Sequence, residues 1–191
     1  YHKDFAKRIT TGNMEDDIAK VKDYDWIIEV VIERLDIKEQ VFEKLDKHRT
    51  PGTLITSNTS GIPIKFMSEG RSDDFQKHFC GTHFFNPARY LDLFEIIPGP
   101  NTDKEVLAFL NAYGEKFLGK TSVVAKDTPA FIGNRVGTYS IMSLFHTVEE
   151  LGMTVEEVDK LKHQAKLSKL NYLKNGGEGL EHEILELKAE I

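Results

Sequence analysis

DWIIEVVIERLDIKEQVFEKLDKHRTPGTLITSN, residues 25–58, changes its apolar pattern three times. Residues 26–32 form a short run rich in β-branched side chains, broken only by Glu29, and read as a buried strand. From Ile37 the apolar residues fall at 37, 41, 42 and 45, the spacing of one helical face. Pro51-Gly52 marks a turn, and residues 52–58 return to strand character. Strand, helix, strand is the opening of an α/β alternation.

The alternation continues outward from that unit. Residues 62–69 read as a short helix, 78–85 as a third strand, and 91–99 as a fourth that stops at Pro98-Gly99. Residues 102–119 form a helix with Thr102 at its cap, Glu105 three residues later and Gly119 after its end. Residues 121–127 are a fifth strand. Thr128-Pro129 then reads as an N-cap with proline at the first helical position, opening an apolar helix to Leu151. TVEEVDKL, residues 154–161, starts another helix. The expected architecture is α/β over residues 1–127 and helical over 128–191.

The last thirty residues differ in kind: a lysine-rich stretch to Asn175, a GGEG joint, and an acidic end. In that end Leu180, Ile184, Leu187 and Ile191 recur at heptad-like spacing, which suits a helix packed on its own domain or on a second chain.

Composition narrows the function. At 40% hydrophobic and 29% charged residues, the 191-residue chain has the balance of a folded globular protein. Its net charge of -6 argues against broad attraction to nucleic acid. No apolar stretch approaches the roughly 20 residues that span a bilayer. One cysteine, Cys80, excludes an internal disulfide and fits a reducing compartment, so the cytoplasm is the expected location. No targeting segment opens the chain, which starts at Tyr1 rather than Met, as expected of a piece of a longer protein.

SNTSG, residues 57–61, lies where the second strand ends. Loops at the carboxyl ends of strands in open α/β sheets bind ligands, while Ser, Asn and Thr are also ordinary turn residues. Glu33 holds the corresponding place after the first strand, where an exposed carboxylate is ordinarily only solvated. His83 and Glu95 flank a natural reversal, Asn86-Pro87 and Ala88-Arg89. If they meet, the carboxylate holds the imidazole in one tautomer and the pair is a general base. If they do not, His83 ends a core strand and Glu95 faces solvent.

A metal site is not expected, because His78 and His83 stand five residues apart on opposite strand faces and Cys80 has no second thiol. Asn134 lowers helix propensity where it stands, so it serves polar recognition or faces solvent. No Gly-x-Gly-x-x-Gly occurs, so motif alone predicts no dinucleotide site.

DWIIEVVIERLDIKEQVFEKLD, SNTSG, GTHFFNP, LFEIIPG and KDTPAFIGNR, in this order, closely resemble the L-3-hydroxyacyl-CoA dehydrogenases of fatty-acid β-oxidation, nearest to their bacterial multifunctional forms. The likeness runs from about Gly12 to Leu161. It implies a Rossmann-like NAD-binding domain over 1–127 and part of a helical substrate and dimerisation domain over 128–191. It further implies NAD-dependent oxidation of a (S)-3-hydroxyacyl-CoA. By the same likeness His83 is the base, Glu95 orients it, Ser60 bonds the substrate oxygen and Asn134 helps hold the acyl-CoA. Glu33, Lys38, Ser60 and Asn86 match positions around the nicotinamide half of the cofactor. Expected partners are the acyl-CoA and a second copy or a multifunctional β-oxidation assembly.

Two departures qualify the resemblance. The first βαβ unit, with its glycine-rich phosphate loop and the acid that selects NAD over NADP, has no counterpart here. NAD is therefore expected from the family alone, with weak binding by these 191 residues. After Leu161 the chain leaves the family pattern, as a fragment or a join of separated pieces would. The competing expectation is a non-catalytic assembly module; an intact mass above 21.8 kDa would favour the enzyme.

Overall fold

The computed structural model describes residues 3–174. The chain divides after Val136 into two compact units. In the first, a five-stranded sheet runs in the order β1 (Trp26–Glu29), β2 (Leu54–Ser57), β3 (Phe79–Phe84), β4 (Leu93–Pro98), β5 (Thr121–Val124). β1, β2 and β3 are parallel, β4 reverses against β3, and β5 runs parallel to β4. The parallel pair β1–β2 is joined by α1 (Leu35–His48) and the pair β4–β5 by α4 (Lys104–Lys116), since parallel neighbours need a crossover. Two short helices, α2 (Ile64–Ser68) and α3 (Asp73–Lys77), connect β2 to β3.

Alternation along the strands sends side chains to two cores. On one face Phe42 and Leu45 of α1 meet Ile55, Ile64, Met67, Phe75, Phe79 and Ile97. The rings of Phe42, Phe75 and Phe79 pack with centroids 4.9–5.7 Å apart, each burial contributing roughly 2–3 kcal/mol. The other face gathers Leu54, Cys80, Phe94, Ile96 and Leu110. Cys80 is fully buried there, and burial pushes its thiol up to about 12. Gly81 is required by close packing: a Cβ would stand 2.7 Å from Ile64 Cδ1 and 3.1 Å from Ile97 Cβ.

Four local expectations need correction. The first strand ends at Glu29, not Ile32, because the Glu29 carboxylate accepts the Val31 amide at 2.5 Å and draws the chain out of the sheet. Thr102 does not cap α4; the cap position is Asp103, while the Thr102 hydroxyl donates to Phe79 O and accepts the Gly99 amide. The short α3, capped by Ser72 accepting the Phe75 amide, was unforeseen although Ser72-Asp73-Asp74 carries its signal. The helix α5 (Gly133–Leu151) starts four residues after Pro129, because Ala130 and Phe131 adopt φ of 63° and 47°.

α5 continues into the second unit, which also holds α6 (Val155–Lys174). Gly152 stands at φ 61° between them, and Thr154 and Glu157 bond reciprocally in a capping box. The seam at Leu180, Ile184, Leu187 and Ile191 lies outside the described residues. Among the described residues no helix is long and apolar enough to cross a membrane.

Candidate active site

Residues 79, 81 and 83 of β3 share one face, so His83 projects on the side of the Phe42 core. In the antiparallel ladder His83 stands directly opposite Glu95, and opposed residues project together. Their side chains meet: His83 Nδ1 lies 2.6 Å from Glu95 Oε2, with the two residues 3% and 0% exposed.

The second oxygen of Glu95 is held from another direction. Oε1 accepts the backbone amides of Ile132 at 2.9 Å and Gly133 at 2.7 Å. The left-handed turn at Ala130 and Phe131 aims those amides and packs the buried Phe131 ring 5.7 Å from the imidazole. Phe85 lies over the same imidazole at 4.4 Å. At position 133 a Cβ would come within 2.5 Å of Phe85 Cζ, so a larger residue must displace that ring. A carboxylate accepting on both oxygens requires Nδ1 to be the donor, so Nε2 of the neutral ring is an acceptor, here of the Ser60 hydroxyl. Nε2 faces Ser60 Oγ at 3.2 Å.

Ser60 is carried by a loop wrapped around Glu33. Glu33 Oε1 accepts the Thr59 hydroxyl at 2.6 Å, the Ser60 amide at 3.0 Å and the Gly61 amide at 3.1 Å. Burial works against the charge on Glu33, but the Thr59 hydroxyl, the Ser60 amide, Lys38 and the Gly61 amide outweigh it. Its carboxyl is held below the usual carboxylate range. Asn134 Nδ2 donates to Ser60 O at 3.2 Å, and Asn58 Oδ1 accepts the Phe84 amide, tying the loop to α5 and to β3. Lys38 is 1% exposed, with its ammonium 2.9 Å from Glu29 and 3.4 Å from Glu33.

A buried His–Glu pair facing a serine at strand ends can take a proton from an oxygen, and comparison with known proteins supplies the family. The sequence profile of the 3-hydroxyacyl-CoA dehydrogenase NAD-binding domain matches residues 1–128. The chain belongs to that family. A probable 3-hydroxyacyl-CoA dehydrogenase of Bacillus subtilis (strain 168) is 55% identical over 153 residues, 80% of this chain and 19% of that protein. One from Deinococcus radiodurans is 48% identical over 158 residues, 83% of this chain and 46% of that protein. The crystal structure of M. tuberculosis FadB2 aligns with a TM-score of 0.68 at 32% identity, over 75% of this chain and 50% of that one. The chain thus spans less than half the length of these curated relatives.

Within this chain, the residues singled out in the sequence fall into two groups. His83, Glu95, Ser60 and Asn134 are linked by hydrogen bonds, and Glu33 and Lys38 stand beneath the Ser60 loop. Asn86 is exposed just past β3, ahead of a cis bond to Pro87. Sequence reasoning placed Thr59 in the candidate loop without foreseeing its bond to Glu33, and missed Glu29 and the amides of Ile132 and Gly133. An acid interrupting an apolar strand was the available signal for Glu29; backbone amides carry none.

Proposed function

We propose that these residues catalyse the oxidation of a (S)-3-hydroxyacyl-CoA to the 3-oxoacyl-CoA, with NAD as hydride acceptor, in fatty-acid β-oxidation. The arrangement at His83 carries the reading: Nδ1 bound to Glu95 and Nε2 open toward Ser60. The substrate 3-hydroxyl would donate to Nε2, with the Ser60 hydroxyl as a second contact to its oxygen. His83 takes the hydroxyl proton as the C3–O bond gains double-bond character, and Glu95 steadies the imidazolium that forms. Phe85 and Phe131 shield the ring from water. Asn134, through Ser60 O, keeps the hydroxyl aimed.

The residues present fit the nicotinamide end of NAD. Val30 and Ile32, 67% and 64% exposed past the end of β1, offer an apolar shelf next to Glu33, and Asn86 stands past β3. When bound, NAD supplies the acceptor for the hydride leaving C3. No glycine-rich phosphate loop is among these residues. Lys38, with its ammonium occupied by Glu29 and Glu33, is suited to holding the loop under the cofactor.

The much greater length of the Bacillus subtilis relative supports residence in a longer chain, and the helices after residue 128 would then begin its substrate and dimerisation domain. An unpaired, buried thiol suits the cytoplasm. The test is NADH oxidation with acetoacetyl-CoA by the longest natural chain containing these residues. Turnover that falls about a thousandfold or more in His83→Gln, with the fold unchanged, is expected. A folded wild-type protein without turnover, or a His83→Gln variant with normal turnover, overturns the reading.

A further inference from the structure

Glu29 is a buried carboxylate with no place in the chemistry described so far. It ends β1 in register with Ser57, which ends β2. Its Oε2 accepts the Ser57 hydroxyl at 2.6 Å, its Oε1 accepts the Val31 amide, and both oxygens accept Lys38 Nζ at 2.9 and 3.0 Å. It is 3% exposed, and a charge so placed is tolerated only when fully paired.

Two arms lead from Glu29 to one loop. In the first, the Ser57 hydroxyl that donates to Glu29 accepts the Thr59 amide at 3.3 Å. In the second, Lys38 bridges Glu29 to Glu33, whose other oxygen gathers the Thr59 hydroxyl and the Ser60 and Gly61 amides. Lys38 also donates to Val31 O at 3.3 Å, so its ammonium is spent on internal partners. Each arm ends at residues 59–61.

We propose that Glu29 is a positioning residue: through Ser57 and through Lys38–Glu33 it holds the 59–61 loop so that the Ser60 hydroxyl faces His83 Nε2. The consequence for catalysis rests on the function proposed above; the consequence for the loop does not. Glu29→Gln preserves the shape but withdraws the charge that satisfies Lys38 and one acceptor of the Ser57–Lys38 junction. Loosening at 59–61 follows, with little change on the opposite sheet face.

The experiment is amide hydrogen exchange of the 191-residue chain by NMR, followed by kinetics. In Glu29→Gln, exchange at Ser60 and Gly61 rises about tenfold, the size expected for losing one charge-assisted hydrogen bond, while the Leu110 amide is unchanged. Glu33→Gln gives the same local rise, and the double variant no more than the larger single effect. Should Glu29→Gln fail to fold, Glu29→Asp, which keeps the charge but draws it back, gives the same readout. Unchanged exchange at Ser60 and Gly61, an equal rise at Leu110, or additive effects in the double variant overturn the proposal. In the longest natural chain containing these residues, kcat falls in parallel while KM for the acyl-CoA holds. A wild-type chain without turnover sinks the proposed function and leaves the exchange result standing.

Discussion

Glu95→Gln is the sharpest perturbation of this site, because the glutamine must choose between two sets of partners. Oε1 of Glu95 accepts two amides, from Ile132 and Gly133, while Oε2 accepts one N–H from His83. If the carboxamide oxygen of the substituted side chain turns to the amides, its NH2 faces Nδ1. If the NH2 turns to the amides instead, two buried N–H groups lose their acceptor at about 1–3 kcal/mol each. Changing the imidazole tautomer costs far less, so the first arrangement wins. Nδ1 then becomes the acceptor and Nε2 carries the proton, so the nitrogen facing Ser60 can no longer accept one. By analogy with the acid-to-amide change in a Ser-His-Asp triad, kcat should fall roughly 10³–10⁴-fold with little loss of stability. NAD reduction with (S)-3-hydroxybutyryl-CoA measures the rate in the direction in which Nε2 must accept the proton, and ¹⁵N NMR of the ring reads the tautomer. A kcat within tenfold of wild type, or a ring that keeps its proton on Nδ1, refutes the reasoning.

Three further outcomes are expected. Gly133→Ala drives a Cβ to within 2.5 Å of the Phe85 ring that lies over His83, so urea unfolding should show a loss of about 1–3 kcal/mol, with slower turnover; unaltered stability counts against the close fit. Asp127 accepts the Ile64 and Lys65 amides at the start of α2, at 2.8 and 2.9 Å, so Asp127→Ala should cost about 1 kcal/mol by thermal melting; no change would remove it as a cap. The folded-state pKa of Glu33 is lowered, so its contribution is full above the unfolded value and is lost as pH falls through the folded one. Amide exchange at Ser60 and Gly61, corrected for its intrinsic pH dependence, should therefore accelerate only below the ordinary carboxylate range, and this step should vanish in Glu33→Gln.

Much of this arrangement could be read from residue order. The apolar run, helical spacing and second run of residues 25–58 predicted β1, α1 and β2. β2 is buried along its whole length, whereas β1 is an edge strand whose Ile28 is exposed, so the first run is less buried than its pattern suggests. His83 and Glu95 were visible as candidates, but only the β3–β4 register makes them opposite neighbours. The start of α5 was misread because Thr128-Pro129 carries a strong local signal. There the buried Phe131 and the acceptor on Glu95 impose a left-handed turn that local propensity does not contain. Glu29 stood out as an acid interrupting an apolar run, but its role was not legible because its partners Ser57 and Lys38 lie 28 and 9 residues away. Long-range partners decide such positions.

The burial of Cys80 has a practical consequence for anyone wishing to watch this molecule. Burial pushes its pKa up to about 12, so the thiol stays protonated at neutral pH, and Leu54, Phe94 and Leu110 pack around it. The native chain therefore offers an almost silent background to maleimide chemistry. A cysteine introduced at an exposed place such as Lys47, late in α1, would take a fluorophore or spin label selectively without first deleting the natural thiol.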